Sequence, residues 1–328
     1  MQISDLRVLI MGCGSIGKRH ARVLYDLGVK NMAAYDPSPT ARAAFSELYP
    51  ECAMYEEEKE ALDSFKADAV FILSPSQMHI PMANRAIEAG AHIFIEKPLS
   101  TTPDGAEQLQ ALADCRSKKV MVGFCFRYHE ALLYAKQLLE QGTIGRLLSI
   151  RCLMGEPFAK IRPDYRDTYY ARYSGAFELV HDLDLAIWLA AQPIVEVQGM
   201  YGTHSDMEIT SPDTVEMLLR FQDRVMASVH LDFYQQPRRR QVDLLGTDGT
   251  IIVDISSWDE ASVSVGRDET WVSKRFTTRR NDMFTAEDYE FLTCIVEDKP
   301  IRCTIVESLK SLKAVASVYQ FPQEKTSM

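Results

Sequence analysis

LRVLIMGCGSIG, Leu6 to Gly17, is a short apolar run that ends in three glycines spaced as G-x-G-x-x-G. The run has the length and branching of a buried strand, and residues 17–27 after it carry a helical pattern. Each glycine has a physical task in such a strand–turn–helix. Gly12 allows the tight turn, Gly14 lets the backbone approach a pyrophosphate, and Gly17 lets helix and strand pack closely, while the helix amides of Ser15, Ile16 and Gly17 face the anion. Taken alone, the spacing is equally that of a glycine-rich turn. Asp36 ends the next apolar run, 19 residues after Gly17, where an acidic side chain accepts hydrogen bonds from an adenosine ribose. By itself Asp36 also suits a turn at DPSP. Together the features indicate a dinucleotide site, with NAD preferred because Asp36 repels a 2′-phosphate. Ser38 and Arg42 nearby leave NADP open.

Outward from this stretch, LRVLIM, NMAAYD, ADAVFILS, AHIFIE and KVMVGF are apolar runs of strand length, with helical patterns such as 17–27, 39–48 and 80–89 between several of them. Apolar runs without alternation, separated by helices, predict a doubly wound parallel sheet over residues 1–125. The remainder, 126–328, reads differently. Helices are expected at 129–141, 176–191, 285–297 and 304–319, and RLLSIRCLM reads as a strand. The period-two stretches IVEVQGMYG, TVEMLLRFQ, RVMASVHLDFY, RQVDLLG and TIIVDI predict a large, mostly antiparallel sheet in an α+β domain. The tail QEKTSM is the one segment of low order expected.

Composition narrows the functional classes. A chain of 328 residues has room for two domains at ~100–200 residues each. A net charge of −10 without long runs of one sign argues against nucleic acid or an anionic membrane as the main partner. No apolar window approaches ~18 residues, and no secretory leader is read at the start. Seven scattered cysteines, never spaced C-x-x-C, read as reduced thiols of a cytoplasmic protein without a metal site.

Two further stretches fall at the carboxyl ends of expected strands, where open parallel sheets bind ligands. SPSQMH brings Ser74, Pro75 and His79, and EKPLS brings Glu96, Lys97 and Pro98. Proline holds the residue before it extended and is compatible with a cis bond, so the lysine is aimed. An ordinary strand-end lysine would not need that proline. In SGAFELVHDLDLAIWL, Glu178, His181 and Leu185 share one helix side, with Asp184 three residues beyond His181. These ionisable groups either face solvent or meet each other or a ligand in an otherwise apolar helix. A histidine beside a carboxylate is suited to proton transfer near neutral pH. PRRR, Pro237 to Arg240, reads as sheet-edge arginines in solvent or a phosphate contact.

The succession of glycine loop, acidic strand end, S-P-x-x-x-H, E-K-P, VGFCFRYHEALLYAKQLLEQGTIGRLLSI and an acid–histidine helix followed by D-x-D resembles the Gfo/Idh/MocA family (glucose-fructose oxidoreductase, inositol dehydrogenase, rhizopine catabolism). The resemblance runs from about Val8 to CTIVESLKSLKAV. It implies a Rossmann domain and an open-faced sheet domain for substrate binding; because the apolar face of such a sheet is a liability in a monomer, a homodimer or homotetramer burying it is expected. It further implies NAD(P)-dependent oxidation or reduction of a sugar, sugar derivative or cyclitol. By motif, Lys97 binds the reacting oxygen, His181 exchanges its proton, and Arg127 and Asp184 line the substrate; Tyr165, from the loop before the helix, and Tyr234, from a sheet strand, are added as substrate contacts by position alone. Glu178 departs from the usual aspartate, standing three residues before the histidine. The alternatives are a catalytically silent dinucleotide-binding regulator and an imine or tetrapyrrole reductase.

Overall fold

The computed structural model describes residues 2–168 and 170–319; the tail QEKTSM lies outside them. Its first sheet grows from the apolar runs around the glycine loop. Strands β1 (Arg7–Met11), β2 (Asn31–Tyr35), β3 (Ala53–Tyr55), β4 (Ala69–Ile72), β5 (His92–Glu96) and β6 (Val120–Gly123) lie in the order β3-β2-β1-β4-β5-β6. Every neighbouring pair is parallel. Helices α1 (Ser15–Asp26), α2 (Pro39–Ser46), α3 (Glu58–Phe65), α4 (His79–Glu88) and α5 (Ala106–Cys115) alternate with the strands. The strands β4 and β6 are buried at every position, which is why they show no alternation in sequence. This is the expected doubly wound α/β domain, and its strand order reverses beside β1.

The second sheet follows α6 (Glu130–Glu140) and is built on β7 (Leu147–Gly155). After the single turn α7 (Phe158–Ile161) and the helix α8 (His181–Ala190) come β8 (Ile194–Gly202), β9 (Thr214–Phe221), β10 (Met226–Asp232), β11 (Arg239–Gly246), β12 (Thr250–Asp254), β13 (Glu260–Arg267) and β14 (Thr270–Thr277). Their order is β14-β13-β12-β11-β7-β10-β9-β8, antiparallel throughout except for the pair β7 and β10. Period-two burial puts Ile150, Cys152, Met154, Val229, Val242 and Val253 on one face, and α8 packs on β7 there. The opposite face exposes Leu218 and Met226. The open-faced sheet of the sequence reading is present, two strands wider than expected.

The chain separates into two compact units. One is Met1–Cys125 with Asn281–Leu312; the other is Phe126–Arg280 with the chain from Lys313 on. Residues 281–312 thus group with 1–125 rather than with the rest of 126–328. The physical reason is α9 (Asp282–Val296), which packs on α1 and is followed by α10 (Ile305–Ala316). Asp288 of α9 accepts a hydrogen bond from His20 Nδ1 at 2.9 Å, with both side chains fully buried. Phe94, Phe284 and Phe71 surround the imidazole at ring distances of 5.1, 5.5 and 5.8 Å. Burial opposes a charge on His20, yet the Asp288 carboxylate holds its pKa above the ordinary value.

Removing one partner of such a pair leaves a buried, uncompensated charge, typically at a cost of about 3–5 kcal/mol. Asp288→Ala is therefore expected to lower the unfolding free energy of the first unit by that amount in urea denaturation. The double change His20→Phe with Asp288→Leu should recover most of the loss, since apolar replacement of a buried pair is often neutral.

Candidate active site

The glycine loop is built as tightly as its sequence demands. Gly12 has φ +118°, and a Cβ there would lie 2.5 Å from the Leu73 carbonyl oxygen. A Cβ on Gly17 would meet the Gly12 carbonyl oxygen at 1.9 Å. Gly14, in contrast, has nothing within 4 Å of the place of its absent Cβ. It is the N-cap residue of α1 and leaves the first amides without a side-chain cap. Open room against uncapped helix amides fits a dinucleotide diphosphate. Asp36 braces this turn, its Oδ2 accepting from the Cys13 amide and its Oδ1 from the Ser38 amide, each at 2.8 Å. A carboxylate has further lone pairs, so ribose hydroxyls can still donate to it. Arg42 is engaged elsewhere, donating to the Asp36 and Pro37 carbonyls and to Glu56.

Ser74, Pro75 and His79 follow β4, while Glu96 ends β5 and Lys97 stands just after it. Hence every candidate cofactor residue falls at the carboxyl ends of β1, β2, β4 or β5. The Lys97–Pro98 bond is cis. His79 links the two loops, Nδ1 lying 2.8 Å from the Pro98 carbonyl oxygen and Nε2 2.9 Å from that of Ser74. His79, expected at a ligand-binding strand end, thus clamps the lysine-bearing turn.

In the second unit the expected helix 176–191 is divided. Gly175–Leu179 forms a 3-10 turn, and α8 begins only at His181. Gly175, at φ +53°, comes so near that a Cβ would lie 2.0 Å from the Pro212 carbonyl oxygen, and the Ala176 amide donates to that same oxygen. This approach interrupts the helix before Glu178. Glu178 therefore stands in the turn before α8, and His181 is the first residue of that helix.

His181 is flanked by two buried carboxylates. Asp184 receives Arg127 Nε at 2.8 Å and Nη2 at 2.7 Å, a bidentate pair. Asp182 receives Arg240 Nη2 at 2.8 Å; burial raises its pKa even against the pull of Arg240. The Phe126 ring meets His181 edge-on at 5.0 Å, and the Arg240 guanidinium covers that ring at 4.0 Å. Thus Arg127 and Asp184, read as substrate contacts, are brought together as a pair. Tyr165 is buried, its hydroxyl accepting from the Glu208 amide. Tyr234 is exposed and bonded to Thr214. Sequence reading missed Asp182, Phe126 and the burial of Arg238 and Arg240. It placed PRRR at a sheet edge, whereas β11 lies between β12 and β7 and alternation turns Arg240 inward. Two aspartates in an apolar helix were the available sign that cations had to be buried with them.

Residues 6–124 match the profile described as "oxidoreductase family, NAD-binding Rossmann fold", and residues 132–252 match the "GFO/IDH/MocA C-terminal domain". The chain belongs to the GFO/IDH/MocA family. Its first unit is the NAD-binding Rossmann domain of that family. Among GFO/IDH/MocA relatives, an inositol 2-dehydrogenase of Ralstonia nicotianae is 30% identical over 217 residues, 64% of this chain and 63% of the relative. The chain thus spans somewhat under two thirds of that relative. A D-xylose 1-dehydrogenase [NADP(+)] of Haloarcula marismortui is 25% identical over 87% of this chain and 81% of its own length. In fold, the chain is similar to a UDP-N-acetylglucosamine 3-dehydrogenase of Acidithiobacillus ferrooxidans, with TM-score 0.80 and 22% identity over 95% of this chain and 96% of the other.

The turn carrying Tyr234 depends on His230. Asp232 accepts from His230 Nε2 at 2.9 Å and Glu216 from Nδ1 at 2.5 Å, and these carboxylates push the imidazole pKa up to about 9. Asp232 also accepts from the Tyr234 and Gln235 amides. Because the folded value is raised above ~6.5, the stabilisation is fully present below that pH and fades as pH rises through about 9. Wild type should therefore lose more stability than His230→Gln between pH 7 and 10 in chemical denaturation. Gly17→Ala, forced against the Gly12 carbonyl, is expected to abolish NAD binding in calorimetry.

Proposed function

We propose that this protein is an NAD(P)-dependent dehydrogenase that oxidises a hydroxyl, or reduces the matching carbonyl, of a sugar, sugar derivative or cyclitol. The observation that carries the reading is the position of Lys97. It stands after β5, on the same row of strand ends as the glycine loop, with its turn clamped by His79. The family relatives named as inositol and xylose dehydrogenases support the class of substrate.

Gly12, Gly14 and Gly17, the helix amides after Gly14 and the carboxylate of Asp36 would hold the dinucleotide. When bound, the nicotinamide supplies a hydride acceptor. Lys97, a cation, lowers the energy of the alkoxide that develops as hydride departs. His181 takes the hydroxyl proton, the general-base task to which an imidazole is suited near neutral pH. Glu178 tunes that exchange from the turn before α8, and the ion pairs of Asp182 and Asp184 hold the first turn of the helix. NAD is the preferred cofactor, because Asp36 opposes a 2′-phosphate and Arg42 is already engaged. The exposed sheet face with Leu218 and Met226 is the surface through which we expect the protein to form a dimer or tetramer.

Steady-state assays across sugars and cyclitols test the roles. Lys97→Ala and His181→Ala should each reduce kcat by at least about 10²-fold while calorimetry still detects NAD binding. Wild-type turnover in either variant removes that residue from the mechanism.

A further inference from the structure

Next to the His181 cluster lies a second arginine whose environment the proton chemistry leaves unexplained. Arg238 precedes β11, and its side chain is 11% exposed. Its guanidinium lies over the Trp258 indole at 4.3 Å, and that of Arg280 lies over the same indole at 4.5 Å. Nη1 is satisfied, donating to the Ile255 and Ser256 carbonyls at 3.1 and 2.5 Å. Nε and Nη2 are buried without a hydrogen-bond partner. The Glu156 carboxylate forms a long ion pair with Nε at 3.4 Å and so competes for this edge. Arg240 leaves only its Nε without a partner, because its Nη2 is bonded to Asp182, so it offers no two-donor edge of this kind.

The enclosed guanidinium groups here are Arg238 and Arg240, set beside Glu156 and Asp182, while the exposed Arg280 adds a third positive charge at the rim of Trp258. Burial and the neighbouring Arg240 charge push the Arg238 pKa down to about 10, which still leaves it charged at neutral pH. Buried donors without partners are costly. The Nε–Nη2 edge of a guanidinium is also the fork that matches two oxygens of a carboxylate or phosphate. Trp258 is 6.4 Å from Phe126, and Phe126 is 5.0 Å from His181, so the fork stands two rings away from the proposed proton acceptor.

We propose that the Nε–Nη2 edge of Arg238 binds an oxyanion carried by the substrate, so that the sugar is an acid or a phosphate ester rather than a neutral polyol. This rests on the dehydrogenase reading for the sugar and for the role of His181. The oxyanion seat itself follows from the arginine cluster alone.

The test is calorimetry at constant ionic strength, titrating wild type, Arg238→Gln and Arg238→Lys with inorganic phosphate, D-glucuronate, glucose 6-phosphate and uncharged myo-inositol. Circular dichroism checks that each variant is folded. Wild type should bind at least one oxyanion above a chloride control. Arg238→Gln should weaken that binding about 10- to 100-fold, as expected for a charge-assisted bidentate contact. Arg238→Lys, which keeps the charge but loses the fork, should fall between, and Glu156→Gln should tighten binding by removing the competing carboxylate. Glucuronate against glucose 6-phosphate separates a carboxylate source from a phosphate source.

In turnover, the ratio of kcat/KM for the anionic over the neutral substrate should drop by the same factor in Arg238→Gln. Oxyanion binding that is absent from wild type, or equal in wild type and Arg238→Gln, overturns the proposal. Turnover of neutral polyols without oxyanion binding would overturn it while leaving the dehydrogenase reading intact. Oxyanion binding at Arg238 without turnover of any sugar would do the reverse.

Discussion

A helix whose first turn carries two aspartates can be buried against a sheet only if each carboxylate meets a cation there. In this protein α8 satisfies that condition with Arg127 from the turn after β6 and Arg240 from β11. Each buried carboxylate has a cation, bidentate at Asp184 and through a single bond at Asp182, and loss of either arginine would strand an anion. The same two pairs anchor the turn that begins at His181, since the next residue and the one three positions on are both held. Phe126 completes the arrangement, with its edge towards the imidazole and its face beneath Arg240. Arg240 thereby serves two purposes, charge compensation and ring placement, from a single guanidinium.

The first unit meets a comparable demand by backbone means. Its loop approaches α1 so closely that Gly17 admits no side chain, and Asp36 accepts a main-chain donor from the loop. The carboxylate that would meet a ribose is therefore also a brace for the diphosphate turn. Cofactor recognition and loop shape are coupled through one side chain, which limits how freely that position can vary.

Much of this was legible in the residues. The glycine loop and the strand-end motifs could be read because their requirements are local: a positive φ, a close approach, a proline after a lysine. The apolar runs identified the inner strands, but the three-residue β3 and the almost wholly exposed β14 carry little signal, and β13 was missed although Ala261, Val263 and Val265 alternate with polar residues. The helix break at Gly175 depends on Pro212, far along the chain, so no local pattern could reveal it. Likewise PRRR became intelligible only when register put Arg240 opposite Met154, on the face that α8 covers. His79 was recognised as a loop histidine, but its second acceptor, Pro98, belongs to a different strand end.

The return of α9 to the first unit has a consequence for synthesis. The aromatic cage around His20 lacks Phe284 and Asp288 until the chain has been made through α9. A ribosome that has released residues 1–125 has supplied six parallel strands with one flank unfinished. The nascent Rossmann sheet must wait while the whole of the second sheet emerges, and only then can it close. An early fragment ending at residue 125 would expose apolar surface and a lone imidazole, the kind of half-built species that chaperones hold. Joining residue 125 directly to 281 by a short designed linker would remove that wait.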